Sequence, residues 1–371
     1  KYTIGWMPGD GVGVDVMDAT RVVLDKFGSV ADYVHGDIGW EFWKTEANPF
    51  PDRTIKMLNN VDAALFGAIT SLPKEEAEAA LIPELQGTGK VYRSPIVRLR
   101  QEFNLSTNLR PCKAYSGNPL NFKDGLDLVV FRQNTEGLYM GVEYHPLPQD
   151  VREKLTETHP SQMAKLDGVD NSDIAISTRI FTRAGCQNIV RDAFEYAKKF
   201  GYKTVTIVEK PNVVRETSGM MVREARKIAL DYPGIELWET NIDAMCMWLV
   251  KNPEIYGVLV SSNMFGDIVS DLCAQLVGGL GFACSGNIGD KVAVFEPSHG
   301  SAPKYVGLNK VNPIAMILSA KMMLDHLGEM EMAKRLEDAV SAVIAVGKCR
   351  TYDMGGSNTT TEMADAIAAK L

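Results

Sequence analysis

Two aspartates, Asp267 and Asp271, stand four residues apart in the stretch NMFGDIVSDLCAQLVGGLG. On a helix that spacing puts both carboxylates on one face, a turn apart, where they can share a small hard cation such as Mg2+ or Mn2+. A solvated helix face also carries acids at this spacing. The surroundings favour a site. The apolar run YGVLVSS ends just before the helix and GGLG follows it, so the first aspartate lies near the carboxyl end of a strand, where open α/β sheets take ligands.

A basic cluster comes next. Arg93, Arg98, Arg100 and Arg110 fall in VYRSPIVRLRQEFNLSTNLRP, and Arg132 follows the apolar strand LDLVVF. Guanidinium forks grip carboxylates bidentately, so three that converge would hold a di- or tricarboxylate. Ordinary ion pairs on a solvated face are the alternative, and the better one for Arg93. In FRQNTEGLY, Tyr139 lies just past the turn-forming Gly137. A tyrosine hydroxyl beside a lysine can deliver a proton at neutral pH, because the cation lowers its pKa. The candidate lysine is Lys210, at the end of the strand KTVTIVEK; taken singly, Tyr139 reads as packing and Lys210 as a surface charge. The loop FEPSHGSAPKYVGLNKVNP sits between a strand and a helix, and its backbone donors with His299 and Lys304 suit a phosphorylated ligand.

Elements that position these groups alternate along the chain. The β-like runs YTIGWM, VDAALFGAI, LDLVVF, KTVTIVE, YGVLVSS and KVAVFE are interleaved with helical patterns such as VDVMDATRVVLDKFG, NIVRDAFEYAKKFG and AMILSAKMMLDHLG, which predicts an α/β fold with buried strands. The polar stretch from about His145 to Asp173 breaks that rhythm and reads as an insertion or arm. Near the start, GDGVG holds Gly9, Gly11 and Gly13 but lacks the third glycine of a dinucleotide fingerprint, so a tight strand-to-helix turn is its expected form.

Composition bounds the function. With 371 residues, 45% of them apolar, the chain can bury a large core and is expected to divide into two domains. No apolar run is long enough to span a bilayer, KYTIGWMPGDG reads as a first strand rather than a signal peptide, and a soluble, cytoplasmic protein is expected. Six cysteines and five histidines are scattered without metal or disulfide spacing. A net charge of −8 without a long basic run argues against nucleic acid, and an anionic substrate would need a local arginine cluster.

Together these motifs resemble the β-decarboxylating dehydrogenases, the family of isocitrate, homoisocitrate and 3-isopropylmalate dehydrogenases. The similarity runs through GDGVGVDV, GAITS, the arginines ending in NLRP, NTEGLYMGVEY, VEKPNV, DAM, NMFGDIVSDL and HGSAPKY. It implies two α/β domains sharing a long mixed sheet, distinct from the Rossmann fold. Residues 1–105 and 278–371 would form a large cofactor-binding domain, and 106–277 a small domain with the dimer interface and an arm at about 140–180. A homodimer with shared sites is implied, in which Lys210 and Asp243 of one subunit meet Asp267, Asp271, Arg100, Arg110, Arg132 and Tyr139 of the other.

The resemblance implies Mg2+ or Mn2+ on Asp243, Asp267 and Asp271, with Lys210 and Tyr139 as the proton-transfer residues. Ser94, Arg100, Arg110 and Arg132 would bind the di- or tricarboxylate substrate. The nicotinamide cofactor would meet Thr70, Asn212, Glu296, His299, Gly300, Ser301 and Ala302, and further along Lys304, Tyr305, Val311, Asn312 and Tyr352. Family members using NAD often carry Asp where Lys304 stands, so Lys304–Tyr305 points to NADP, with NAD the alternative; Gly356 departs from the arginine of some NADP enzymes. Isocitrate enzymes show Ser-x-Asn ahead of the arginine pair, whereas this chain has Ser94, Pro95 and Ile96. Arg98 is a candidate for the missing carboxylate contact, or a solvent-facing charge. The implied reaction is oxidative decarboxylation of isocitrate, with homoisocitrate or 3-isopropylmalate as the alternative. A non-catalytic subunit on the same fold would be expected to have lost part of this residue set, all of which is present.

Overall fold

Uninterrupted apolar runs need cover on both faces, and they form the middle of each half of one large sheet. The computed structural model describes residues 1–371. Its strands are β1 (Tyr2–Gly9), β2 (Ala31–His35), β3 (Ala63–Ala68), β4 (Thr107–Lys113), β5 (Asp127–Gln133), β6 (Glu143–Tyr144), β7 (Ile176–Ser177), β8 (Thr204–Glu209), β9 (Glu236–Asn241), β10 (Val258–Ser261), β11 (Cys284–Ile288) and β12 (Ala293–Pro297). Ten of them form a mixed sheet in the order β2-β1-β3-β12-β11-β4-β5-β10-β8-β9. The flanks β2-β1-β3-β12 and β5-β10-β8-β9 are each parallel, and β11 and β4 between them pair antiparallel with both neighbours. The two parallel flanks therefore run in opposite directions.

All six strands read from apolar runs are present, as are the three helices, seen at Val12–Leu24, Arg183–Phe200 and Ile314–His326. The strands without such a run are β2 and β9 at the sheet edges and β4 and β11 at its centre. Edge strands tolerate polar sequence because one side faces water. The central pair, TNLRPCK and CSGNI, carries polar groups of the candidate site. The arm stands outside the main sheet: β6 and β7 pair with each other, and between them the helix Gln149–Thr158 has no buried residue.

Separate apolar clusters cover the two flanks. On one, Val16, Met17, Phe295, Ile317, Leu336 and Val340 belong to a cluster of 32 buried residues. On the other, Phe131, Ile189, Phe194, Ile207 and Val260 pack with the helices Arg183–Phe200 and Thr217–Ala229, and a third cluster joins Val130, Leu259, Val269 and Cys273 beneath the helix Asn263–Leu276. All six cysteines are free thiols, and no helix is long and apolar enough to cross a membrane.

The GDGVG segment takes the expected turn. Gly9 and Gly11 have φ of 71° and 58°, and a Cβ on Gly13 would lie 2.3 Å from the Pro8 carbonyl oxygen and 2.6 Å from the Ala68 nitrogen. The helix start thus packs directly on the ends of β1 and β3. Gly13→Ala is expected to destabilise the fold by about 1–3 kcal/mol through overpacking; an unchanged urea midpoint would refute that close approach.

Candidate active site

Strand alternation points Asn108 and Arg110 of β4, Arg132 of β5 and Asn287 of β11 to one face of the sheet, because Asn108 pairs with both Arg132 and Asn287. Arg132 is 1% exposed. Its Nε donates to Asn263 Oδ1 at 2.9 Å and its Nη1 to Asp267 Oδ1 at 2.5 Å. Arg110 donates from Nε to Asn108 Oδ1 at 2.7 Å and from Nη1 to Ser270 Oγ at 2.7 Å, with Nη1 also 3.2 Å from an oxygen of both Asp267 and Asp271. Arg100 bonds Asn287 Oδ1 at 3.0 Å and Glu296 Oε1 at 3.1 Å. The three guanidiniums converge as their sequence positions suggested. Gly266 makes room for this, since a Cβ there would lie 2.8 Å from Arg132 Cγ.

The two aspartates differ electrostatically. Burial pushes the Asp267 carboxyl upward, but Arg132, Arg110 and the Tyr139 hydrogen bond outweigh it and hold the group below the usual carboxylate range. Asp271 goes the other way: burial raises it most, Asp267 adds to the rise, and Arg110 only partly offsets both. Tyr139 donates its hydroxyl to Asp267 Oδ2 at 2.7 Å, with the Arg132 guanidinium 5.1 Å from its ring centre. Burial, followed by the Asp267 hydrogen bond, raises the Tyr139 pKa. By the family resemblance, the lysine expected beside Tyr139 comes from the other subunit. Within the chain its partner is instead a carboxylate, which makes the phenol hold its proton.

Lys210 and Asp243 are paired elsewhere. Lys210 follows β8, Asp243 opens the helix Ile242–Lys251 after β9, and Lys210 Nζ lies 2.6 Å from Asp243 Oδ1. The lysine is the first cause lowering the Asp243 pKa. No cluster of three potential ligands that could hold a metal forms within one chain, so Asp243 does not complete the Asp267–Asp271 pair there.

The third group gathers where β1, β3 and β12 end. Ser301 Oγ lies 2.6 Å from Thr70 Oγ1, and the Ser301 carbonyl accepts the Val12 N–H at 2.9 Å. Ala302 follows in the left-handed region at φ 39°. Asp10, not singled out from the sequence, accepts the Thr70 and Trp40 N–H groups at 2.8 and 2.6 Å and binds the three loops together. His299 Nδ1 is 3.0 Å from the Gly300 carbonyl, which makes it the donor and leaves the enclosed Nε2 an acceptor without a partner; Ser298 Oγ is unpartnered too. Burial lowers the His299 pKa and keeps the ring neutral. An unfilled acceptor in this crevice fits a hydroxyl-bearing ligand such as a nucleotide ribose.

Other candidate residues divide between free and committed side chains. Lys304 Nζ lies 5.0 Å from the Tyr305 ring centre and Lys310 Nζ 3.8 Å from that of Tyr352, which is 59% exposed. Val311 is half-buried and Asn212 exposed. Asn312 donates to Asp353 at 3.0 Å and accepts the Ile314 N–H at 3.0 Å, at the start of the helix Ile314–His326. Glu296 is held by Arg100 and by Asn287. Ser94 starts the helix Pro95–Glu102 without a side-chain bond to it, and Ile96 packs on the cluster of Phe50, Phe66 and Leu99. Arg93 is exposed. Arg98 neither joins the wall nor hangs free: its Nη1 donates to Asn48 Oδ1 at 3.1 Å and the Phe50 carbonyl at 3.0 Å.

The family model for isocitrate/isopropylmalate dehydrogenase matches residues 3–367. This chain belongs to that family. Family dehydrogenases are NAD(P)-dependent, use a divalent metal, decarboxylate, and bind small carboxylate substrates. The chain is 40% identical over 366 residues to Protein DlpA of Legionella pneumophila, covering 98% of this chain but 58% of that longer protein. It is 40% identical over 365 residues to the 3-isopropylmalate dehydrogenase of Archaeoglobus fulgidus, covering 98% of both. The crystal structure of isocitrate dehydrogenase from Methylococcus capsulatus superposes with a TM-score of 0.85 at 35% identity, over 100% of this chain and 99% of that one. The long mixed sheet is this family's fold.

The residues missing from the sequence reading are mostly buried amides. Asn108, Asn134, Asn263 and Asn287 are each 4% exposed or less, and Asn287 Oδ1 accepts from Arg100, Asn108 and Asn134. An asparagine inside a strand, as in NLRP and GNIG, was the only signal for Asn108 and Asn287, while Asn134 and Asn263 stand just past the ends of β5 and β10. Asp267→Asn is expected to destabilise the metal-free protein by about 1.5–3 kcal/mol, the usual worth of a hydrogen bond to a charged group, since buried Arg132 loses its anion. An unchanged denaturation midpoint would contradict this.

Proposed function

We propose that this protein oxidatively decarboxylates isocitrate to 2-oxoglutarate with NADP as hydride acceptor, as a homodimer whose two sites are each built from both subunits. The observation that carries the reading is the face-to-face arrangement of three converging guanidiniums and the Asp267–Asp271 pair, with Lys210 and Asp243 paired apart in the same chain. In this reading residues 1–105 with 278–371 form the cofactor-binding domain and 106–277 the second domain; the separate apolar clusters over the two flanks support the division, with Tyr115 crossing to the first.

Asp267, Asp271 and the partner subunit's Asp243 would hold Mg2+ or Mn2+, a Lewis acid that acidifies the substrate hydroxyl. Arg100, Arg110 and Arg132 bind the substrate carboxylates and orient the carbon that loses its hydride. Lys210 of the partner subunit takes the hydroxyl proton. The arginines hold the carboxylate that departs as carbon dioxide, and Tyr139, a phenol that carries its proton at neutral pH, gives a proton to the carbon left behind. Each group stabilises charge where it develops.

The NADP reading rests on Lys304, beside Tyr305, whose ammonium group would attract a 2′-phosphate that a carboxylate would repel, and Lys310 adds a second cation over the Tyr352 ring. Gly356 cannot supply the arginine of other NADP enzymes, because a Cβ there would lie 2.1 Å from the Arg350 carbonyl oxygen. For isocitrate, the unbonded Ser94 hydroxyl at a helix start suits the third carboxylate. A second reading, 3-isopropylmalate, is favoured by Arg98 being tied to Asn48 and Phe50 instead of facing that group.

Initial rates with isocitrate, homoisocitrate and 3-isopropylmalate, each with NADP and NAD in Mn2+, are expected to be highest for isocitrate with NADP. Lys304→Asp is expected to move the preference toward NAD. Preference for another acid, or an unaltered cofactor ratio in Lys304→Asp, would overturn the corresponding part. Shared sites are tested by mixing Lys210→Met and Tyr139→Phe subunits: each homodimer is expected to be inactive, while random reassociation restores about a quarter of native activity through hybrids with one intact site. Mixing that restores nothing would rule out sharing.

A further inference from the structure

Arg179 lies outside the residue set of the reaction, in the segment that returns from the arm, and it is bound more extensively than any ordinary surface arginine. Its Nη2 donates to Glu209 Oε2 at 3.1 Å and Ser262 Oγ at 2.7 Å, and its Nη1 to Thr217 Oγ1 at 3.0 Å and Ser218 Oγ at 3.1 Å. Phe181 and Phe265 lie 4.5 and 4.7 Å from the guanidinium by their ring centres. Glu209, the last residue of β8, has a side chain only 1% exposed. Its Oε1 accepts the Ser262 N–H at 2.8 Å and its Oε2 the Ser218 hydroxyl at 2.5 Å. Ser218 Oγ in turn accepts the Lys210 N–H at 3.3 Å.

One buried carboxylate thus sits between the peptide of Lys210 and Ser262, the N-cap of the helix bearing Asp267 and Asp271. A carboxylate this deep requires a cation and several donors, and Arg179 supplies the cation while contacting Phe265 on that same helix. We propose that Arg179 and Glu209 are a positioning pair that couples the two active sites of the dimer. Lys210 serves the partner's site and the aspartate helix serves the chain's own, so a disturbance at this pair displaces one component of each. This inference rests on the shared-site reading.

The test uses the full-length dimer with Mn2+ and the acid it turns over fastest. Arg179→Met is expected to lower kcat about tenfold or more, the usual effect of losing a group that orients active-site residues, with KM changed little. Arg179→Lys is expected to recover part of the loss. The double variant Arg179→Met/Glu209→Gln, which removes the unpaired buried charge, is expected to regain thermal stability while kcat stays low; recovery of kcat together with stability would reduce the pair to a folding role and overturn the proposal. The deciding measurement is a hybrid of one wild-type and one Arg179→Met subunit, purified through two different tags. Activity well below half of native supports the proposal, because both sites are then damaged, and retention of about half overturns it, because the lesion is confined to one site. The Lys210→Met and Tyr139→Phe mixture serves as control: if it restores nothing, the sites are not shared and the coupling is withdrawn for that separate reason.

Discussion

A fully buried arginine facing a carboxylate on the neighbouring helix sets the geometry of this site. Arg132 enters the protein interior because Asp267 meets it at 2.5 Å and Asn263 accepts its Nε. Removing two charges from water is costly, and the attraction offsets that cost only when nearly every donor and acceptor is satisfied. This explains the company the pair keeps. Gly266 has no side chain, so the arginine can lie against the helix, and Tyr139 occupies the second oxygen of Asp267. Arg110 sits between the two aspartates, 3.2 Å from each, and offsets part of the repulsion between like charges one turn apart.

The mixed sheet supplies the framework. Its two parallel flanks run in opposite directions and meet at antiparallel β11 and β4. The ends of β1, β3 and β12 carry the crevice around Ser301 and His299, whereas those of β5, β8 and β10 carry Arg132, Lys210 and the start of the aspartate helix. Glu296, bonded to Arg100 and Asn287, links one group to the other across the seam.

Much of this was readable from residue order. Long apolar runs located the buried strands, because a strand covered on both faces has no polar position to spare. The spacing of Asp267 and Asp271 and the arginine series suggested a cation and a carboxylate ligand as candidates, because charge type and helical period are local properties. The polar central strands were not readable. TNLRPCK and CSGNI look like loops until the sheet sets Asn108 beside Asn287, whose side chains bond each other across the two strands. Arg98 was open to two readings from its place in the basic cluster, a carboxylate contact or a solvent-facing charge, and only the fold shows its bonds to Asn48 and the Phe50 carbonyl.

The sequence alone therefore determined the α/β class, the family resemblance and the chemical types present, since composition, periodicity and motif order need no third dimension. Tertiary structure decided which charges face one another. Within the chain it set Tyr139 against Asp267, separated Lys210 and Asp243 from the aspartate pair, and buried Glu209 under Arg179. These outcomes depend on distances between residues remote in the chain, and pKa values, ion pairing and burial all follow from such distances.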